Sequence, residues 1–389
     1  MATLLLLYLG AETLAAGAGT EKVLTNMANE FTQRGWQVCL VTNDDEKAQP
    51  FFTLQPQVQW LKLQSRQIKL PWYVKTRREI NKTFKLGENT EALYRAALVT
   101  KKLELALTRA KVKPDLLVTY EHEAVLVANR LGLQIPRIAM VHNAIPVTLG
   151  VMDKFQLAEE DRMTVHQVLM PSYVAKAQEY LHGKIVYIPN TVAQVEDPRR
   201  VDLAVPKKRY TVIAVGRLSP HQKQMHLLLQ AFASLSATYP EWDLKIYGRE
   251  RHQEDLRLLQ NIISSNKLEK RMFLCGETDQ ITEKLLQADI FAIPSAYEGF
   301  CLSQAEAMAL GLPAVGYAGA DSVNELIVNG ENGILCPDGA AAFAAGLSKL
   351  MRDRKLRIKM GARAAATMQA YRPQMVWDQW EQLFWDLLK

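Results

Sequence analysis

Short apolar runs, each closed by a glycine or a polar turn and followed by a stretch of helical period, recur along the chain. Thr3–Leu9 is such a run and ends at Gly10. Between Thr20 and Arg34 the apolar residues Val23, Leu24, Met27, Ala28 and Phe31 fall on one helix face, and Gly35 stands where a helix terminates. Gln37–Thr42 predicts the next strand. Leu116–Tyr120, after Pro114-Asp115, predicts another, Glu123–Arg130 a short helix, and Arg137–Val141 a strand that ends at His142. The strand runs are apolar at consecutive positions instead of alternating. Strands buried on both faces read this way, and their alternation with helices predicts a parallel sheet.

The pattern restarts after Asn190. Thr191–Tyr210 is polar and rich in Pro, Arg and Lys, the composition of an interdomain linker. Thr211–Val215, Asp243–Tyr247, Met272–Leu274, Ile290–Ile293 and Ala314–Tyr317 then predict strands, with a helix over His226–Tyr239. The expected architecture is α/β: two doubly wound, Rossmann-like halves, 1–195 and 208–372, facing a central cleft. Ligands of such sheets bind outside the carboxyl ends of the strands, which makes the cleft the default site. The segment 373–389 carries Trp377, Trp380 and Phe384 on one helical stripe, expected to pack back toward the first half.

Composition narrows this picture. At roughly 150 residues per domain, 389 residues predict about two to three domains. With 48% hydrophobic and 23% charged residues, a disordered chain and a small disulfide scaffold are excluded. The net charge is +6, but Trp60–Lys113 holds 14 basic and 4 acidic residues, so the rest of the chain is slightly acidic. A uniformly basic nucleic-acid binder is therefore a poor fit, and no nucleic-acid partner is expected. Cys39, Cys275, Cys301 and Cys336 are far apart and form no metal or redox spacing, so free thiols in a cytoplasmic protein are expected. Ala2–Leu9 has no basic residue before it that would make it a signal peptide, and it reads as a buried strand. No uncharged apolar run approaches the ~20 residues that span a bilayer.

Three constellations carry chemistry. The first is Pro294-Ser-Ala-Tyr-Glu298-Gly299-Phe300-Cys301-Leu302-Ser303-Gln-Ala-Glu306, continuing to Pro313. Here a strand ends, a glycine-containing loop follows, and a helix opens near Ser303, presenting unpaired N–H groups and a positive dipole end suited to a diphosphate. Glu306 has a second reading, because Ser303-Gln-Ala-Glu306 also fits a capping box. The second is Gly216-Arg217-Leu-Ser-Pro-His-Gln-Lys223, two cations directly after a strand, placed to converge on an anion. The third is Gly17-Ala-Gly19 before the Thr20 helix. As a dinucleotide fingerprint it fails at Lys22, and what remains is a close approach of backbone to a phosphate.

Together these residues resemble glycosyltransferase family 4, of the two-domain GT-B fold, over nearly the whole chain. The resemblance is most specific at Glu298–Pro313, similar to the family's E-x7-E motif. Val215-Gly-Arg217 with Lys223, Gly17–Asn29, Ile188-Pro-Asn190 and Gly319–Gly333 also match. It implies that Glu298 sits by the donor sugar hydroxyls and Glu306 by the ribose. Arg217 and Lys223 would neutralise the leaving diphosphate. Backbone N–H groups of Gly299, Phe300, Cys301 and Leu302 would contact sugar and phosphate, and Gly17 and Gly19 would let the first loop approach the donor. His142 matches a histidine near the donor sugar. The chain departs from the pattern in a spacing from Arg217 to Lys223 that is one residue longer, in Gln224 where Gly is usual, and in Cys301.

The implied reaction is retaining transfer of a hexosyl group from a nucleotide sugar, with UDP-hexose the expected donor, to a surface-polysaccharide, lipopolysaccharide or lipid-linked acceptor. No D-x-D occurs in the chain, so Arg217, Lys223 and a helix N-terminus would carry the charge stabilisation, with no metal and no other cofactor. The basic 60–113 segment, with Trp72 and Tyr73, has two readings. It is either a solvated face, or a contact with an anionic acceptor or an anionic membrane surface that would make the protein peripheral on the inner face. Rival functions are a doubly wound dehydrogenase, which Lys22 argues against, another GT-B enzyme such as an epimerase, and a non-catalytic GT-B scaffold.

Overall fold

In the computed structural model the described residues are 1–10, 13–64, 71–76, 79, 90–195, 199–250 and 252–389. The chain forms two units, one of Met1–Pro189 with Trp377–Lys389, the other of Asn190–Val376. The first is a seven-stranded sheet of β1 (Thr3–Tyr8), β2 (Gln37–Thr42), β3 (Gln59–Lys62), β4 (Leu116–Thr119), β5 (Arg137–Val141), β6 (Val165–Val168) and β7 (Lys184–Tyr187), in the order β3-β2-β1-β4-β5-β6-β7. Every pairing is parallel. β1 lies inside the sheet with Leu4, Leu5, Leu6 and Leu7 wholly buried, each worth roughly 1.5–3 kcal/mol in removed apolar surface. Helices α1 (Gly19–Gln33), α2 (Thr90–Ala110) and α3 (His122–Arg130) follow β1, β3 and β4 in the chain. Leu103 and Leu107 of α2 join Leu5, Leu7 and Val41 in one core cluster.

The second unit has six parallel strands: β8 (Tyr210–Val215), β9 (Trp242–Tyr247), β10 (Met272–Leu274), β11 (Ile290–Ile293), β12 (Ala314–Tyr317) and β13 (Gly333–Cys336), in the order β10-β9-β8-β11-β12-β13. Its helices include α4 (Met225–Leu235), α5 (Leu302–Ala309) and α6 (Val323–Leu326). In each sheet the chain builds outward in one direction and then crosses back. The reversal falls between β1 and β4 in the first unit and between β8 and β11 in the second.

The final helix, α7 (Pro373–Leu388), returns to the first unit. Phe384 packs on Phe31 of α1 with ring centroids 4.7 Å apart, Trp377 meets the same ring edge-on, and Trp385 lies 4.8 Å from Trp36. Arg34, just past α1, pairs with Asp378 at 2.8 Å and Glu381 at 2.6 Å. The expected aromatic stripe is therefore a docking face.

Several expectations are corrected. The segment read as a linker packs on the second unit: Val192 and Leu203 are buried, and the Val192 and Val201 N–H groups donate to Tyr371 and Leu310 carbonyls. The pattern did not predict β3, β6, β7 or β13. β6 holds His166 and Gln167, fully buried polar residues that break the apolar run. All four cysteines are free, as expected. Among the described residues no helix is long and apolar enough to cross a membrane. Of the basic segment, Lys69, Arg77, Arg78, Lys82 and Lys85 lie outside the described residues, whereas Trp72 and Tyr73 are exposed.

Candidate functional site

The crossover of the second sheet assembles the two motifs. β8 and β11 are hydrogen-bonded neighbours, Val212 beside Ile290 and Ile213 beside Phe291. Their carboxyl ends therefore lie side by side, and the turn after β8 carries Arg217 and Lys223 while the loop after β11 carries Glu298. This is the position at which open α/β sheets hold ligands.

The groups meet at short range. Lys223 Nζ lies 2.5 Å from Glu298 Oε1, and the Ser295 hydroxyl donates to the same oxygen at 2.5 Å. Glu298 is 6% exposed. Burial works against the charge of Lys223, but the neighbouring Glu298 carboxylate outweighs it and holds the ammonium above its ordinary value. Lys223 folds back over the end of β8, its Cε and Cδ lying 3.1 and 3.2 Å from where a side chain at Gly216 would begin. Any larger residue there would push Lys223 away.

Helix α5 opens beside this cluster. Its N-cap is Cys301, whose side chain caps nothing, and the Ser303 hydroxyl donates to the Val215 carbonyl of β8 at 3.1 Å. The capping-box reading of Ser303 and Glu306 is thus overturned, since the hydroxyl is spent on the neighbouring strand. The helix begins at Leu302, earlier than expected, and half-buried Glu306 is its fifth residue, beyond the first turn. The Cys301 N–H points to the Ser322 hydroxyl at 3.4 Å, and burial pushes the Cys301 thiol up to about 12. Ser322 is fully buried at φ 69°, a backbone that serine rarely adopts. Phe300 is buried against the edge of Tyr371, and Gly299 precedes it in the loop. Among the described residues no group of three or more His, Cys, Asp or Glu is arranged to hold a metal ion.

The first unit places the remaining predicted residues at the carboxyl edge of its own sheet. His142 follows β5 and stacks on Tyr120 with centroids 5.1 Å apart. Its Nε2 is buried without a hydrogen-bond partner among the described residues, and burial lowers the imidazole to about 4. The Glu121 carboxylate, two residues past β4, accepts from the backbone N–H of Leu9 and, at 2.9 Å, of Gly10. Burial raises Glu121 to about 8. Gly17 has φ 69°, and a side chain there would strike the Phe51 ring at 2.7 Å, so packing already demands glycine at this position. Gly19 is the first residue of α1.

Sequence reasoning missed Ser295, Gln222, Ser322 and Glu121. Gln222 and Ser322 act through contacts between separate loops, which no local pattern records, whereas Ser295 reaches Glu298 three residues on in the same loop. Glu121 adjoins a strand end and was open to notice on that ground.

A known family matches the chain in sequence over its second half, and known structures match it in fold over its whole length. Residues 195–367 match the family described as glycosyl transferases group 1. An uncharacterized glycosyltransferase of Haemophilus influenzae is 25% identical over 377 residues, 95% of this chain and 96% of that protein. N-acetyl-alpha-D-glucosaminyl L-malate synthase of Bacillus anthracis is 28% identical, over 48% of this chain and 50% of its own length. Like that enzyme, other curated relatives are matched over only half of their length or less. Among solved structures, sucrose-phosphate synthase from Thermosynechococcus elongatus superposes with a TM-score of 0.79 at 18% identity, covering 100% of this chain and 99% of that one. Anabaena HepE in complex with UDP and glucose gives 0.73 at 17%, with both chains covered in full. The chain is a glycosyltransferase of the GT-B fold, built from two parallel-sheet, Rossmann-like units. The stretch that matches the group 1 glycosyl transferases, residues 195–367, contains the Glu298–Pro313 motif.

Proposed function

We propose that the chain transfers a hexosyl group, with retention at the anomeric carbon, from a UDP-sugar to a glycan or lipid-linked acceptor at the cell surface. The observation that carries this reading is the convergence of Arg217, Lys223 and Glu298 at the carboxyl ends of adjacent strands β8 and β11, beside the N-terminus of α5. Arg217, Lys223 and the α5 dipole would stabilise negative charge growing on the leaving diphosphate, with no metal required. Glu298 would turn to the sugar hydroxyls once an anion takes Lys223 from it. Glu306, released from the capping role, would bind the ribose, and the Gly299–Leu302 backbone the sugar and phosphate. Neutral His142 would offer a nitrogen without adding charge. The first unit would receive the acceptor. UDP is favoured by relatives crystallised with it.

The test is release of nucleotide from a panel of UDP-, GDP- and ADP-sugars. Turnover of a UDP-hexose that persists in chelator is expected. Activity lost in chelator and restored by manganese would overturn the metal-independent reading. Arg217→Ala or Lys223→Ala should cost ~10²–10³ in turnover, the usual loss for one stabilising donor. Near-normal turnover would remove that residue from the site. Binding of the 60–113 segment to an anionic membrane is part of the proposal. It predicts association with anionic vesicles that charge reversal at Arg77 and Arg78 abolishes.

A further inference from the structure

Gln222 stands near the end of the turn between Arg217 and Lys223. Its amide reaches in two directions. The Arg217 guanidinium donates from Nη2 to Gln222 Oε1 at 3.2 Å, and Gln222 Nε2 points to the Tyr297 carbonyl at 3.5 Å. The Gln222 carbonyl accepts from the Ala296 N–H at 2.8 Å. The turn after β8 is thus sewn to the loop after β11 on both sides of one residue, next to the Lys223–Glu298 pair. The next residue but one, Gln224, makes this return possible. It sits at φ 48°, ψ 37°, and its N–H closes the turn onto the Ser219 carbonyl at 2.9 Å.

We propose that Gln222 is a positioning residue of the diphosphate site, aiming the Arg217 guanidinium and fixing the Arg217–Lys223 turn to the loop that carries Glu298. The inference rests on the reading of Arg217 and Lys223 as the diphosphate cations. An amide suits the task because it accepts from a guanidinium and donates to a carbonyl at once. It also adds no charge beside Arg217. Glutamate has the same length, but it would set a carboxylate against the guanidinium and have nothing to donate to Tyr297.

The experiment titrates UDP, GDP, ADP and inorganic pyrophosphate into the full-length wild type and the Gln222→Glu and Gln222→Met variants, at low and at physiological salt, with melting curves alongside. Gln222→Glu should weaken diphosphate binding at least about tenfold and flatten its salt dependence, because a new carboxylate opposes the incoming anion. Gln222→Met keeps the size and loses both hydrogen bonds. It should leave the salt dependence near wild type while lowering the turnover of donor hydrolysis more than donor affinity. If Gln222→Glu does not fold, the split in Gln222→Met decides. Wild-type binding, salt dependence and turnover in the folded variants would overturn the role of Gln222 alone. A wild type that binds none of the four probes would overturn the diphosphate site itself, and this inference with it.

Discussion

At the residue scale, Glu121 and His142 show what burial at a sheet edge does to ionisation. They follow adjacent strands, and desolvation shifts them oppositely: the carboxyl from 4.5 to about 8 and the imidazole from 6.5 to about 4. The folded chain therefore keeps a proton on Glu121 that the unfolded chain has released, so this group's contribution is present below pH 4.5 and lost as pH rises through 8. His142 behaves in reverse, its contribution being present above pH 6.5 and lost as pH falls through 4. The two slopes largely cancel where they overlap. Glu121→Gln should gain stability relative to wild type from pH 4.5 to pH 8, and His142→Gln should lose it from pH 4 to pH 6.5. Urea midpoints across that range are the measurement, and parallel profiles for all three proteins would refute the assignment. Arg217, Lys223 and Glu298 were legible because a motif marks them. Gln222 was not, since its partners Tyr297 and Ala296 lie on another loop. The Ser303 box misled because the local pattern cannot show that Val215, distant in sequence, supplies a competing acceptor.

At the element scale, the buried strands were the most readable part of the chain, and α7 shows why an aromatic stripe is informative. Its apolar face matches a groove made by Phe31 and Trp36, and Arg34 pins its polar side through Asp378 and Glu381. Burial opposes the charge on Arg34, yet its three carboxylate partners hold it firmly ionised. Phe384 is fully buried, so Phe384→Ala should cost about 3–5 kcal/mol, the range for removing a core aromatic. Arg34→Ala should cost less, because Asp378 and Glu381 are partly exposed and can turn to water. Equal losses in denaturant unfolding would mean that the ion pairs, not the rings, hold the helix. The short strands β3, β6 and β7 escaped the pattern for a physical reason. β3 and β7 are edge strands only partly buried, and β6 buries polar side chains that find partners in the fold, such as Gln167 donating to the Ile188 carbonyl and His166 facing Glu160.

At the scale of the whole molecule, the chain leaves the first unit at Pro189 and re-enters it at Trp377, so that unit is made from two separated stretches of sequence. Removing residues 377–389 should therefore destabilise the first unit while leaving the second close to its normal stability. Limited proteolysis followed by fragment mapping would show it, and uniform loss of protection across both units would contradict it. The same threading has a consequence for synthesis. A ribosome adding roughly 5–20 residues per second needs on the order of ten seconds or more to make 190–376 after 189 has emerged. Throughout that interval the nascent first sheet exists without α7, and Phe31 and Trp36 lack the aromatic partners that cover them in the finished fold. Closure of the first unit by α7 therefore cannot precede synthesis of residues 377–389, however quickly the strands pair.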